Sequence, residues 1–348
     1  MNKIKISICV LIVMLFSAAF AQNNKAEPKF IGYLFTYFEG ASESRKNEEQ
    51  LRFAISEDAV NWLALNDNSP ILGSDNISQS GGIRDPHILR GEDKNSYYIV
   101  ATDMSTAANG WKENPGIVLL KSNNLIDWKH SAINLSKDYP EKFANAYWVW
   151  APQTIYDPEA KKYLIYFTVK FKDDDKLDFY SAYANADFSD FENEPTLMFS
   201  AKDGAIDGDI VYKDGTYHLF YKGNTKDEND KEFENGIKQA TSKSLQGPWE
   251  ESFNYIDYYA DKKTTVEGSS VFKLNNSDEY ILMYDLYSSG RYEFQRSKDL
   301  YNFTKQPESF VKNFHPRHGS VISITQDEAD RLYSKWSKTV QKNIKQKE

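Results

Sequence analysis

The chain has 348 residues, and its 51 acidic against 42 basic side chains give a net charge of −9 at neutral pH. This acidic balance argues against nucleic acid or an anionic membrane as a partner, and the sequence contains no P-loop, no dinucleotide fingerprint and no zinc-type spacing of His and Cys. Aromatic residues make up 15% of the chain, a share that favours strands and also suits surfaces on which sugar rings stack.

The N-terminal segment predicts a signal peptide over residues 1–21. Lys3 and Lys5 precede an apolar run over residues 6–20, and Ala19-Phe20-Ala21 is an A-x-A cleavage signal before Gln22. The run is shorter than the ~20 apolar residues that a membrane-spanning helix needs, so no membrane span is expected. The only cysteine, Cys9, lies inside this segment, so the mature chain would carry no disulfide. We therefore expect an exported protein, periplasmic or extracellular.

A strand, a polar turn and a closing aromatic residue recur five times along the chain. The closing aromatic residues are Trp62, Trp128, Phe191, Trp249 and Phe303. Two further strand-like runs precede each copy, and Asp214-Gly215 between two of them is a strong hairpin signal. Three or four antiparallel strands repeated radially form a β-propeller blade, whereas a β-sandwich gives no reason for such a repeat. We predict an all-β fold, a five-bladed β-propeller over residues 22–348.

The two ends of the repeat array complement each other. The N-terminal unit lacks an innermost strand, and one strand without a partner, residues 319–325, follows the fifth repeat. We predict that the N- and C-terminal strands close one blade, which removes the open edges of the ring. A capping box from Thr325 to Glu328 then predicts a short C-terminal helix over about 326–340.

Acidic residues stand where the innermost strands begin, and these starts converge on one end of a propeller's channel. They are Asp85, Asp207 and Glu267, one in each of three blades. Taken singly, each has an ordinary explanation in a turn or a solvated loop. Glycosidic hydrolysis needs one protonated and one ionised carboxyl, and a third acid can raise the pKa of the proton donor. Their shared place in the repeat indicates a catalytic trio, with Asp209 left open as an alternative to Asp207.

The five strand starts resemble those of glycoside hydrolase family 43. The matching motifs are Asp85-Pro86, Trp150-Ala151-Pro152, Ile206-Asp207, Glu267-Gly268 and His318-Gly319. The resemblance implies that Asp85 is the general base, that Glu267 is the general acid and that Asp207 orients this acid and raises its pKa. It also implies inversion, with the carboxyl groups of base and acid about 6.5–9.5 Å apart. Gly208 departs from the family, which often has proline there.

Further residues near the three acids are expected to contact the substrate, and the resemblance supports Arg291 and His318 among them. The candidates are Trp148, Trp150, Arg291, His318, Arg84 and Asp103. Each tryptophan could stack on a sugar or fill space between blades, and we expect one in each role. His318 resembles a family histidine beside a central ion, often calcium, or a water. No cofactor is expected for the chemistry itself, and His318 could ligate a structural calcium in the channel.

The expected activity is release of pentose or furanose residues from plant-type oligosaccharides or polysaccharides. An α-L-arabinofuranosidase comes first, then a β-xylosidase or a β-D-galactofuranosidase. Residues 105–114 and 170–176 could wall an exo-type pocket, whereas an endo-arabinanase cleft is expected if they lie flat. A non-catalytic carbohydrate-binding propeller would not need the acid trio. A phosphate-using propeller would need basic residues, and the strand starts offer few. The sequence leaves the oligomeric state open.

Overall fold

The computed structural model describes residues 28–40, 48–202, 204–226, 232–252, 256–259, 265–306 and 310–336. The predicted signal peptide and residues 337–340 of the predicted helix lie outside these ranges. Within them the chain forms five sheets, antiparallel except for one short edge strand, arranged as the blades of a propeller, which confirms the predicted fold class. No helix in the described ranges is long and apolar enough to cross a membrane.

The first four blades follow one another along the chain, and the strands of each run in sequence from the channel outward. The first blade comprises Ile83–Arg90, Tyr97–Asp103, Gly116–Ser122 and Lys129–Asn134. The second comprises Ala146–Asp157, Lys162–Phe171, Asp178–Tyr183 and Thr196–Phe199. The third comprises Ala205–Lys213, Thr216–Lys226, Glu232–Ser242 and Glu250–Glu251, with Asp257–Tyr259 also paired to its third strand. The fourth comprises Glu267–Lys273, Tyr280–Leu286, Arg291–Ser297 and Thr304–Lys305.

The closing blade joins the two ends of the chain. It comprises Pro316–Thr325, Phe30–Glu39, Arg52–Ser56 and Asn61–Ala64, with Val311–Lys312 parallel to the outermost of these. The C-terminal strand pairs antiparallel with Phe30–Glu39 and is innermost, as the missing strand of the first repeat predicted. Short helices lie in the connections, and the last helix follows the closing strand. They are Ser74–Ile77, Thr106–Asn109, Leu135–Asp138, Pro140–Phe143 and Gln326–Trp336, with a 3-10 turn at Asn66–Asn68.

The hydrogen bonds of the recurring turn explain why the same residue types recur in it. The Ser122 hydroxyl accepts hydrogen bonds from the backbone N–H groups of Asn124 and Leu125, at 3.1 and 3.0 Å. Leu125 has a φ of 67°, and its carbonyl accepts the indole N–H of Trp128 at 3.2 Å. Ala59 and Leu300 hold the matching left-handed position in two other copies. Serine and Asx side chains are favoured here because they satisfy backbone groups that the turn leaves unpaired.

Apolar side chains fill the space between each pair of neighbouring blades. Five buried clusters correspond to the five blade interfaces, so both faces of every sheet are covered. Phe53 of the closing blade meets Trp336 of the C-terminal helix, with ring centroids 5.8 Å apart. Burial on two faces accounts for most of the high aromatic content, because large rings bridge the widening gap between blades.

Candidate active site

The inner strands have a β-bulge near their starts, at the mouth of the channel. In the first four blades two residues of the inner strand stand opposite one residue of the second strand. The first of the two has positive φ in every case: Asp85 at 50°, Ala151 at 45°, Asp207 at 55° and Gly268 at 71°. Asp85 and Asp207 therefore occupy equivalent positions. The sequence predicts the same position for Glu267, but the bulge places Glu267 one residue earlier.

His318 of the closing strand lies between two of the acids. Its Nδ1 atom is 3.7 Å from Asp85 Oδ1 and 3.8 Å from Asp207 Oδ2. The ring is buried, and Nδ1 has no hydrogen-bond partner among the described residues. A Cβ atom on Gly268 would lie 2.8 Å from the ring, so only glycine permits this approach. His318 therefore brings the first, third and closing blades together at the channel mouth.

Asp85 is oriented by two neighbouring blades. The Thr102 hydroxyl donates to Asp85 Oδ2 at 2.8 Å, and the Thr102 hydroxyl oxygen in turn accepts the backbone N–H of Ala151 at 2.8 Å. The Asp85 side chain is 15% exposed, so it can reach a water molecule from solvent. This arrangement suits a carboxylate that removes a proton from water.

Asp207 and Asp209 lie in two different layers of the channel. Asp207 Oδ2 accepts the backbone N–H of Gly268 at 2.9 Å, and burial raises the pKa of Asp207 to about 6. Asp209 Oδ2 accepts the N–H of Val271 at 2.5 Å, and its Oδ1 lies 3.9 Å from His87 Nε2. Burial raises the pKa of Asp209 to about 7. Of these two residues, Asp207 is the one that lies within 3.8 Å of His318 at the mouth, which supports the choice of Asp207 over Asp209.

Arg317 holds Glu267 together with a fourth carboxylate that the sequence motifs do not reveal. Its Nη2 donates to Glu267 Oε1, and its Nε donates to Asp285 Oδ2 at 2.6 Å. We call this group the arginine clamp. Burial alone would raise the pKa of Glu267, but the charges of Arg317 and Lys222 outweigh burial and lower it. Burial raises the pKa of Asp285 to about 7.

An aromatic surface borders the site on the side of the first and second blades. Trp148 and Trp150 stack on each other with centroids 4.1 Å apart and planes 17° from parallel. The Trp150 indole N–H donates to Asn114 Oδ1 at 2.7 Å. Trp111 meets Trp150 edge-on at 6.3 Å and is 62% exposed. The tryptophan wall, Trp111 with Trp148 and Trp150, thus runs from the interior to solvent.

Arg84 connects this wall to the first blade. It is buried, it pairs with Glu49 at 2.9 Å, and its guanidinium lies 4.6 Å from the Phe38 ring and 4.9 Å from the Trp111 ring. The predicted site residues Arg84, Trp148 and Trp150 are therefore gathered beside Asp85.

Two predicted substrate contacts have other partners. Asp103 accepts the backbone N–H groups of Gln79 at 2.7 Å and Ser80 at 2.9 Å, one on each carboxylate oxygen, and so holds that loop. Arg291 is exposed and donates from Nε to the Ser289 hydroxyl at 3.3 Å. Their contact with substrate stays a prediction.

Alignment of the repeats could have pointed to Lys222 and Asp285, which the sequence motifs do not include. In each of the first four blades, one residue of the second strand stands opposite the residue that precedes the bulge. These residues are Thr102, Thr168, Lys222 and Asp285, and all are buried. Charged side chains at two of these positions would have pointed to the channel. Trp111 gave no such signal, because it lies in a connection outside the repeat.

The described residues contain no group of three or more His, Cys, Asp or Glu side chains arranged to hold a metal ion. The expected role of His318 beside a structural calcium in the channel stays a prediction.

Part of the chain is similar to a curated enzyme. An α-L-arabinofuranosidase of Bifidobacterium longum is 26% identical over 211 residues, which cover 55% of this chain and 19% of that protein. The chain thus spans about a fifth of the length of this curated relative.

Two solved structures share the architecture. An endo-1,4-β-xylanase from Bacteroides thetaiotaomicron superposes with a TM-score of 0.54 at 14% identity, over 84% of this chain and 99% of that one. An α-L-arabinanase from Cellvibrio cellulosa, complexed with arabinohexaose, gives 0.54 at 13% identity, over 80% and 94%. At these identities the likeness shows the fold alone.

A family model matches most of the chain. It describes a probable glycosyl hydrolase domain related to glycoside hydrolase family 43 and matches residues 28–330. That range includes all five blades and every residue of the site described above. The chain therefore belongs to this family 43-related group of glycoside hydrolase domains, as the five motifs of its inner strands indicated.

Proposed function

We propose that this glycoside hydrolase inverts the anomeric carbon of its substrate and works at the mouth of the propeller channel. One observation carries the proposal: Asp85 and Asp207 flank His318 within 3.8 Å, while Arg317, the residue before His318, holds Glu267. Three carboxyl groups from three blades therefore surround one residue pair of the closing strand. Their environments differ, as the paired roles in glycoside hydrolysis require.

The proposed reaction is a single displacement at the anomeric carbon. Asp85 takes a proton from water as the water oxygen forms its bond to that carbon. The bond from the carbon to the leaving oxygen breaks, its electron pair stays on the oxygen, and Glu267 supplies the proton. The role we propose for Asp207 is to orient Glu267 and to oppose its ionisation by like charge; its carboxylate accepts the backbone N–H of Gly268, the residue after Glu267. Inversion further requires the predicted separation of about 6.5–9.5 Å between the Asp85 and Glu267 carboxyl groups.

We propose a terminal pentose or furanose as the sugar that is released, with α-L-arabinofuranosides first. The curated relative named α-L-arabinofuranosidase supports this order, and the xylanase and arabinanase names of the two structures keep the alternatives in view. β-Xylosides and β-D-galactofuranosides remain the next candidates.

Contacts between two connections support a walled, exo-type pocket. Residues 105–114 carry Trp111 and Asn114, which contact Trp150. Residues 170–176 reach the same wall, because Lys170 Nζ lies 4.9 Å from the Trp148 ring and Lys172 pairs with Glu113 at 3.0 Å. The two segments meet each other instead of lying flat.

The basic residues at the strand starts do not favour phosphate as the attacking group. Arg84 is paired with Glu49, and Arg317 is paired with two carboxylates. A phosphate would have to displace these partners, so hydrolysis by water is the better-supported reaction.

Hydrolysis of aryl glycosides tests the proposal. The panel comprises the α-L-arabinofuranoside, β-D-xyloside and β-D-galactofuranoside, assayed with the wild type, Glu267→Gln and the exposed control Glu92→Gln. We expect turnover of one member, a strong loss in Glu267→Gln on leaving groups that need acid help, and wild-type rates in the control. NMR of the first-formed sugar anomer checks inversion. A wild type inert on the panel and on polymeric arabinan would instead favour the binding-module alternative.

We also propose export, on the N-terminal sequence alone. N-terminal sequencing of the protein recovered outside the cytoplasm is expected to begin at Gln22. Recovery of the protein only in the cytoplasm with its first 21 residues intact would contradict it.

A further inference from the structure

Two carboxylates share one arginine beside the proposed proton donor. Glu267 and Asp285 are cross-strand partners in the fourth blade, and Arg317 contacts both through different nitrogens. Asp285 is fully buried, and its Oδ1 atom has no hydrogen-bond partner among the described residues. An enclosed carboxylate with one oxygen unpaired is costly for folding, so a role in the site accounts for it better than stability does.

The chemistry of a proton donor explains why a second carboxylate is useful there. A positive charge next to a carboxyl group favours its ionised form, and Glu267 must carry a proton when the glycosidic bond breaks. Arg317 alone would orient Glu267 but would also hold it ionised. Asp285 accepts the Nε–H of Arg317, while Glu267 accepts from Nη2. Asp285 thus places a negative charge next to the guanidinium group, away from Glu267. The clamp can then fix the position of Glu267 without removing its ability to bind a proton.

We infer that Asp285 is a positioning residue for the proton donor Glu267, acting through Arg317, and that its negative charge offsets the arginine so that Glu267 can hold its proton. The inference rests on the proposed function and extends it to a residue outside the acid trio. It assigns Arg317 two tasks: Arg317 orients Glu267, and it pairs with Asp285, which compensates the arginine's positive charge.

Other charged groups face the arginine clamp, and none of them is substituted in the variants compared below. The groups around Glu267 and Asp285 are Lys222, Arg84, His318, Asp207, Tyr292 and Lys312. Lys222 and Arg84 add positive charge to the side of Glu267, which increases the need for a compensating carboxylate. Burial raises the pKa of Asp285, but the charge and the hydrogen bond of Arg317 oppose this rise and favour the carboxylate form that the clamp uses.

The experiment compares Asp285→Asn with the wild type on two glycosides of the same sugar. One has a dinitrophenyl leaving group, which needs no proton, and the other a methyl leaving group, which does. At equal folded fraction, we expect kcat/KM to fall roughly tenfold or more on the methyl glycoside and less than about threefold on the dinitrophenyl glycoside, because only the first depends on Glu267. The basic limb of the pH profile should move down by about one unit, as the unshared arginine favours ionised Glu267.

A second variant carries the test if Asp285→Asn does not fold. Arg317→Gln removes the positive charge, so its basic limb should move to higher pH, opposite to the shift in Asp285→Asn. Asp157→Asn is the matched control for loss of a buried carboxyl, because Asp157 ends the inner strand of the second blade, far from the mouth, and it should keep the wild-type limb. Equal losses on both glycosides with an unchanged limb would overturn the inference and leave a structural role. A wild type inert on every glycoside would overturn the proposed function itself, a result distinguishable from the first.

Discussion

Substitution of Asp209 tests which carboxylates of the channel are catalytic and which are structural. The test measures the free energy of unfolding as well as the reaction rate. It is buried one layer below the mouth, and its Oδ2 accepts the backbone N–H of Val271. In Asp209→Asn the amide oxygen can still accept that bond, while the charge is removed. The variant therefore changes one property of the residue, its ionisation.

The magnitude follows from the raised pKa of Asp209. The carboxyl titrates near 3.8 when the chain is unfolded and at about 7 in the folded protein, where burial disfavours the charge. The folded state thus binds more protons between these values, and its stability falls as the pH rises from about 4 to about 7. Three units correspond to about 4 kcal/mol at most. Two of these units lie above pH 5, so the free energy of unfolding of Asp209→Asn, relative to that of the wild type, should rise by up to about 3 kcal/mol between pH 5 and pH 8.

Urea unfolding at pH 5 and pH 8 measures this difference. The exposed variant Asp187→Asn controls for the loss of one acidic residue. A stability gap between Asp209→Asn and the wild type that is the same at both pH values would refute the reasoning. Activity completes the test: Asp209→Asn should keep kcat within about threefold, whereas Asp207→Asn should lower kcat by roughly 100-fold or more. The reverse order would assign the catalytic role to Asp209.

Further substitutions test the base, the wall and the ring closure. Asp85→Asn should lower kcat by roughly 10²–10⁴-fold with little change in the melting temperature, since a general base is lost; an active variant would contradict its role. Trp111→Ala should raise KM roughly five- to tenfold at unchanged kcat, about 1 kcal/mol of sugar contact; an unchanged KM would remove it from the site. Gly319→Ala should destabilise by more than about 3 kcal/mol in urea, because a Cβ would lie 2.0 Å from the Thr36 carbonyl oxygen. Gly215→Ala, which meets nothing within 4 Å, should cost only about 1 kcal/mol for its positive φ; similar losses in the two would contradict this account.

The blade architecture could be predicted because the turn of each repeat is formed by interactions between residues close in sequence. The turn from Ser122 to Trp128 closes through hydrogen bonds within seven residues, so its sequence reports its structure directly. Asp214 and Gly215 both have positive φ, as the hairpin signal between their flanking strands requires. Ring closure followed from a count of strands in the first and last repeats.

The finer geometry of the site depends on pairings that cross strands and blades. Glu267 precedes its bulge whereas Asp85 and Asp207 lie within theirs, and only the register with the second strand reveals this offset. Asp285 and Arg317 are 32 residues apart and meet because the fourth and closing blades are neighbours. Sequence alone gives no register between strands that are joined through the ring, so the clamp became visible only in the structure.

The strand that closes the ring also supplies Arg317 and His318, and this couples catalysis to completion of the fold. A chain that ended before Pro316 would retain Asp85, Asp207 and Glu267 but would lack the histidine between two of them and the arginine that holds the third. The last strand is secured from outside as well, because Arg90 of the first blade binds the Ser323 carbonyl and Glu328 of the following helix. Under the proposed mechanism, activity would therefore report that the ring has closed, because a chain without its last strand lacks two residues of the proposed site.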